Sequence, residues 1–221
     1  MWGMAQSAAS LRQKPLLRGV SHEVAAFIAA LGAVALVSAA PSTRAAIAAS
    51  VYGATLTTLF TMSALYHRRN WSRPAYLLMR RFDHSAIFLL IAGSYTPLCL
   101  VLGGRLGYSL LAVAWAGAAL GVLKSVFWQS APRPLMAALA VGLGWVVVPV
   151  LPQLYRAVGA GALLLLLAGG LAYSLGALIY VLKRPDPSPA VFGYHEIFHV
   201  LVIVAAGCHY AVMSGAVAAI R

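Results

Sequence analysis

Residues 157–182 read AVGAGALLLLLAGGLAYSLGALIYVL, from Ala157 to Leu182, and contain no charged side chain. A bilayer core about 30 Å thick is crossed by roughly 20 apolar residues in a helix, so this run is long enough to span. The chain around it has the same character. Of its 221 residues 62% are hydrophobic and 9% charged, and mean hydropathy is +0.87. A soluble domain of this size has nowhere to hide so much apolar surface.

Working outward, six more runs qualify: Val24–Ala40, Ala45–Tyr66, Ser85–Leu102, Leu106–Val126, Leu135–Leu151 and Phe192–Ala219. The expected fold is all-α, a polytopic membrane protein with seven transmembrane helices in one bundle over 21–221. Residues 1–20 form a tail before it. Breakers separate the runs, among them Pro41 to Arg44, Gly103-Gly104-Arg105, Ala131 to Pro134 and Pro152-Gln153. The fifth run is the least clearly bounded, because Pro149 and Pro152 crowd its end. Arg68–Arg81, rich in bases and aromatics, reads either as an interfacial helix on anionic headgroups or as a plain charged loop. No internal repeat supports an inverted-repeat transporter. Cys99 and Cys208 lie inside apolar runs and are read as free thiols. The first twenty residues hold no apolar core, so no cleavable signal peptide is expected and the first span serves as insertion signal.

The formal net charge is +12, with only Glu23, Asp83, Asp186 and Glu196 acidic. The bases sit in short loops between apolar runs, which points to topology and lipid headgroups and away from nucleic acid. Twelve of the 16 Lys and Arg residues fall on the side of the N-terminal tail, and Arg44, Arg105, Arg156 and Arg221 fall on the other. The positive-inside rule puts the N-terminus in the cytoplasm and the C-terminus outside.

The polar residues of the spans gather at that same end. Ser63 and His67 are one helical turn apart at the end of the second span, Asp83 opens the third, and His195 and His199 are one turn apart at the start of the seventh. Ionisable groups at membrane depth mark function by default. Zn²⁺ takes neutral imidazole nitrogens, and a catalytic site has three protein ligands plus water. His67, His195 and His199 are therefore read as metal ligands. Asp83 is read as general base or as a residue orienting a ligand, and Ser63 as a hydrogen-bonding partner of the water or of a substrate carbonyl. His84 is read as structural and His22 as interfacial. His209 is ~21 Å along the helix from His195, too far to share the metal. His195-Glu196-Ile197-Phe198-His199 also matches the H-E-x-x-H protease signature, in which Glu196 would be the base. The extended protease form needs a histidine at 205, where Ala205 stands.

Ser63-x-x-x-His67, Arg81-Phe82-Asp83-His84-Ser85, Ala92-Gly93-Ser94-Tyr95-Thr96-Pro97, His195 to His199 and Cys208-His209 together resemble the hemolysin III family. This is the bacterial branch of the progestin and adiponectin-Q receptors. The resemblance covers about residues 16–219. It implies seven helices with a cytoplasmic N-terminus. It also implies zinc on His67, His195 and His199, with Asp83 beside the bound water and Ser63 nearby. The related alkaline ceramidases imply lipid amide hydrolysis, and a hormone-receptor role is not expected of a chain without the long N-terminal domain of the eukaryotic receptors. The expectation is a zinc-dependent hydrolase of lipid amides or esters in a bacterial inner membrane, with substrate entering sideways from the inner leaflet. The alternatives are a lipid or membrane-fluidity sensor with a structural zinc clasp, and a pore-forming cytolysin. A clasp would need a fourth protein ligand, for which Asp83 is the candidate.

Overall fold

The computed structural model describes residues 14–221. The tail expected over 1–20 is thus described only from Lys14 onward, and Arg12 and the signal-peptide expectation lie outside the described residues. The helices are α1 (Val20–Ser38), α2 (Thr43–Arg68), α3 (Arg73–Leu102), α4 (Gly104–Phe127), α5 (Arg133–Gly144), α6 (Leu151–Leu182) and α7 (Tyr194–Ala219), with a 3₁₀ stretch Trp145–Val150 joining α5 to α6.

Among the described residues six helical runs are long and apolar enough to cross a membrane, one of them the 50-residue run Arg133–Leu182. That run holds two crossings. Gly159 has φ 81° and ψ 171°, a conformation open to glycine and strained for any L side chain. Trp145 Nε1 donates to Ser174 Oγ at 2.9 Å, and these two residues lie almost equally far from Gly159 along the chain. Only a reversal at Gly159 brings them together, so the described residues make seven crossings. The expected break at Pro152-Gln153 is wrong: Pro152 sits in the first turn of α6, where its missing N–H costs nothing. The fifth crossing therefore runs on over residues 133–158.

The reading of Arg68–Arg81 also changes. Only residues 69–72 form a loop, and residues 73–81 are the first turns of α3, neither an interfacial helix nor a loop. Asp83 consequently lies well inside α3. Cys99 and Cys208 are free.

Packing follows residue size. α7 is the hub and touches α1, α2, α3 and α6. Tyr52 of α2 and Val212, Met213 and Val217 of α7 are fully buried in one hydrophobic core. Phe27, Ile28, Leu31 and Val34 of α1 face outward, as lipid-facing positions do. α1 and α2 approach closely because Gly53 meets Ala33: a Cβ on Gly53 would stand 2.6 Å from the Ala33 Cβ and 3.0 Å from its Cα. Backbone would have to move, at a cost of about 1–3 kcal/mol. Gly53→Ala is expected to lower the unfolding midpoint in detergent, and adding Ala33→Gly should recover part of the loss by vacating the contested space. No recovery in the double variant would mean that this contact does not set the α1–α2 spacing.

Candidate metal centre

His67 occupies the last turn of α2, and His195 and His199 occupy the first two turns of α7. The start of α7 is held rigidly. Glu196 Oε2 accepts from the Gly193 N–H at 2.8 Å, which closes the helix N-terminus. Its other oxygen, Oε1, accepts from Arg18 Nε in an ion pair. Arg18 is carried by residues 14–19, a strap whose Leu16 and Leu17 N–H groups donate to the Ala190 and Val191 carbonyls at 3.0 and 3.2 Å. The strap passes over the triad so closely that a Cβ on Gly19 would be 2.9 Å from the His67 Cβ.

The three imidazoles face one another. Ring centroids are 4.6 Å apart for His67 and His195, 5.0 Å for His67 and His199, and 4.5 Å for His195 and His199. One ligand atom from each lies within 4.8 Å of the others, and the set could hold a metal ion. His195 Nε2 and His67 Nε2 are 3.2 Å apart. Tetrahedral zinc with nitrogens at 2.0–2.1 Å requires neighbouring ligand atoms about 3.3 Å apart, so the donor set fits the ion in kind and in spacing. His199 is 1% exposed and its Nδ1 has no hydrogen-bond partner, an uncompensated buried nitrogen in keeping with a missing bonding partner. Among the described residues no Cys, Asp or Glu joins this set. Asp83 is therefore not a fourth member of it.

Asp83 and Ser63 are both buried and line the same cavity as the triad. Ser63 and Arg80 are polar neighbours of the Asp83 carboxyl. Ser63 itself is engaged by a residue that the sequence reading placed at the interface. His22 is 3% exposed, and its ring stacks on His199 at 3.8 Å between centroids with an interplanar angle of 6°. His22 Nε2 lies 3.3 Å from the His199 carbonyl oxygen, and Nδ1 lies 2.8 Å from Ser63 Oγ. A carbonyl only accepts, so Nε2 carries the proton. The neutral ring then leaves Nδ1 to accept from the Ser63 hydroxyl. His22 and Ser63 thus form a brace behind His199, of the kind that orients metal-bound imidazoles. The one hint of His22 in the sequence is that it lies at the same membrane end as His67.

The remaining histidines stay out of the triad. His84 lines the cavity wall. His209 faces the Leu166 carbonyl at 3.2 Å. Glu196, committed to Gly193 and Arg18, does not face the triad as the base of an H-E-x-x-H protease would. The cavity itself has a volume of about 550 Å³. It begins at Lys14 and Arg18, passes the triad and continues between apolar side chains, including Leu59, Leu98 and Val202, as deep as His209 and Met213.

Comparison with known proteins agrees with this architecture. Residues 11–210 match the family described as Haemolysin-III related. The chain is 29% identical over 195 residues to Hemolysin-3 of Bacillus cereus, covering 86% of each protein. It is 30% identical over 155 residues to the Hemolysin-3 homolog of Bacillus subtilis (strain 168), covering 70% of each. It is 36% identical over 156 residues to Heptahelical transmembrane protein ADIPOR2 of Oryza sativa subsp. japonica, covering 63% of this chain and 68% of that one. With the seven crossings and the match over nearly its full length, the chain belongs to the haemolysin-III-related family, within the wider group that includes the adiponectin-receptor-like membrane proteins.

Proposed function

We propose that this protein is a zinc-dependent hydrolase of lipid amide or ester bonds, working inside the membrane near its cytoplasmic face. The observation that carries the reading is the placement of a three-histidine donor set, with no fourth ligand among the described residues, on the wall of a cavity that is mostly apolar beyond it. Three-ligand zinc sites are the catalytic kind, and structural ones are closed by four. That same count weighs against the sensor with a zinc clasp. A cytolytic pore would need a polar face along the whole membrane depth, whereas the charged side chains and, apart from His209, the histidines on the cavity wall gather at one end.

His67, His195 and His199 would hold the ion. When bound, zinc supplies a Lewis acid for a carbonyl oxygen and a water acidic enough to attack at neutral pH. The chain's own residues supply the rest. The apolar wall positions the acyl chain and keeps bulk water out. The Asp83 carboxylate accepts the proton of the attacking water and returns it to the departing nitrogen or oxygen. The His22–Ser63 brace fixes the His199 ring, so Ser63 acts on the triad through His22 and does not donate to the substrate carbonyl.

The test uses total bacterial lipid extract with purified protein in detergent, read by mass spectrometry so that no substrate is guessed. The parent is expected to release a fatty acid or lysolipid product. Asp83→Asn should keep its metal and lose about 10²-fold or more in rate, the usual worth of a positioned acid–base group. A parent that holds a full complement of zinc and yields no product would overturn the hydrolase reading and leave the clasp in its place.

A further inference from the structure

The cavity changes character along its length, and its mouth is strongly basic. Lys14 and Arg18 from the strap, Arg80 from α3 and Arg133 from α5 all line it, while Asp83 is the single carboxylate on its wall. Among the described residues there are two ion pairs, Arg18 with Glu196 and Arg68 with Glu23. Arg18 is thereby committed; Arg80 lies near Asp83 but outside ion-pair contact, and Lys14 and Arg133 line the cavity with no carboxylate in ion-pair contact. Lys14 spends one N–H on the Arg69 carbonyl at 2.7 Å. Burial, followed by the nearby Arg18 guanidinium, holds its ammonium below the ordinary lysine range. The Arg133 guanidinium stands 5.6 Å over the Tyr180 ring, and that ring is 5.8 Å from the His195 ring. The unmatched charge is thus one aromatic ring away from the triad.

Three separate elements bring cations to one opening, at a cost in mutual repulsion that a topology signal does not require. Loop charges satisfy the positive-inside rule wherever they point. Behind the mouth the wall turns apolar at Leu59, Ile87, Leu90 and Val202. Guanidinium and ammonium groups at the rim of an apolar cavity are complementary to an amphiphile with an anionic head. Arg in particular offers paired donors to phosphate oxygens.

We infer that the mouth of this cavity binds a phosphate-bearing headgroup through Lys14, Arg80 and Arg133, with the acyl chains of the same lipid lying in the apolar depth. The ligand class is an anionic phospholipid of the inner leaflet, where such lipids are abundant. This goes beyond the hydrolase reading and stands without it, because binding is expected whether or not a bond is cut. If both hold, the substrate is an anionic lipid and the triad meets it just inside the headgroup.

The experiment measures equilibrium binding by native mass spectrometry of the full chain in detergent. The probes are ether-linked phosphatidic acid and the ether-linked diglyceride with the same chains. Neither has a carboxylic ester or amide bond, so the proposed hydrolysis cannot disturb the result. The phosphate-bearing lipid is expected to bind about tenfold more tightly or better, since the two differ only in the group that charge-assisted hydrogen bonds would hold. The variant Lys14→Gln/Arg80→Gln/Arg133→Gln should lose that preference. The variant Arg73→Gln/Arg81→Gln/Arg184→Gln, which removes bases of the same membrane end that lie outside this cavity, should keep it. If the triple cavity variant does not purify as a monodisperse species, the exposed Arg133→Gln alone is used, with a loss of about threefold expected. Inorganic phosphate is added as a competitor. Failure to displace the lipid identifies a lipid headgroup, and displacement at millimolar concentration identifies a site that takes the phosphate group by itself. A preference that survives in the cavity variant, or falls equally in the outer variant, overturns the inference.

Discussion

Purified with zinc supplied, the parent is expected to carry about one metal ion per chain, and His195→Ala and His199→Ala are expected to carry none. The donor set has three members and no spare among the described residues. Losing any one leaves two imidazoles, too few for a tight site. The loss in affinity should exceed 10²-fold, because outer partners alone are usually worth about 10–100-fold. His22→Ala falls in that lesser range. Its ring both stacks on His199 and bridges the His199 carbonyl to Ser63, so its removal frees the ligand ring to turn without deleting a donor. His84→Ala, on the cavity wall but outside the donor set, should keep its metal. Elemental analysis of gel-filtered samples reads all four variants. Equal metal loss in His84→Ala and His199→Ala would mean that the triad is not the site, and full retention in His199→Ala would mean that the ion is held elsewhere.

The order of effects in that series mirrors what the sequence discloses. Candidate metal ligands at membrane depth are legible because the surrounding residues are so apolar. In Ser63 to His67 and in His195 to His199 the polar positions stand one helical turn apart, and two helix ends on one side of a membrane must lie near each other in a small bundle. Braces are harder to read. His22 precedes the first apolar run and sits beside Glu23, and from composition alone it is indistinguishable from an interfacial histidine. Only the packing of α1 against α2 and α7 turns its ring onto His199. The contact of Ser63 with His22 was unforeseen for the same reason. The serine's spacing from His67 is correct, but its hydroxyl is engaged by a helix that no pattern on α2 reveals.

The misplaced boundaries have a related cause. Pro152 looks like a breaker, yet proline in a first turn sacrifices no hydrogen bond. The chain continues helically past it and turns at Gly159, one glycine among several in an apolar run. A glycine's φ is not written in its neighbours. Likewise Arg73 to Arg81 is basic enough to look like a loop, but its bases extend α3 beyond the apolar run that follows. Helix length in a membrane protein is set by backbone hydrogen bonding, whereas hydropathy reports only the part that lies in hydrocarbon.

Arg18→Ala should be the most destabilising single change at the basic end. Glu196 has a side chain only 3% exposed and Arg18 one 22% exposed. Truncating the arginine leaves a buried carboxylate with one backbone partner and no counter-charge. Breaking a buried pair from one side costs about 3–5 kcal/mol, whereas removing charge from both sides costs far less. Arg18→Ala is therefore expected to lower the thermal midpoint sharply in detergent. Adding Glu196→Gln should recover a large part of the loss, because glutamine can still accept the Gly193 N–H that closes α7. The single variant Glu196→Gln also separates the two meanings of the H-E-x-x-H pattern. If Glu196 were the general base, its removal would cost about 10²–10⁴-fold in turnover with stability nearly unchanged. With Glu196 turned toward the strap and away from the triad, the expected result is the reverse: a moderate loss of stability, retained metal, and turnover within a few-fold of the parent. The strap is then a mechanical part of the centre, since the same ion pair that holds residues 14–19 over His67 also fixes the helix turn from which His195 and His199 project.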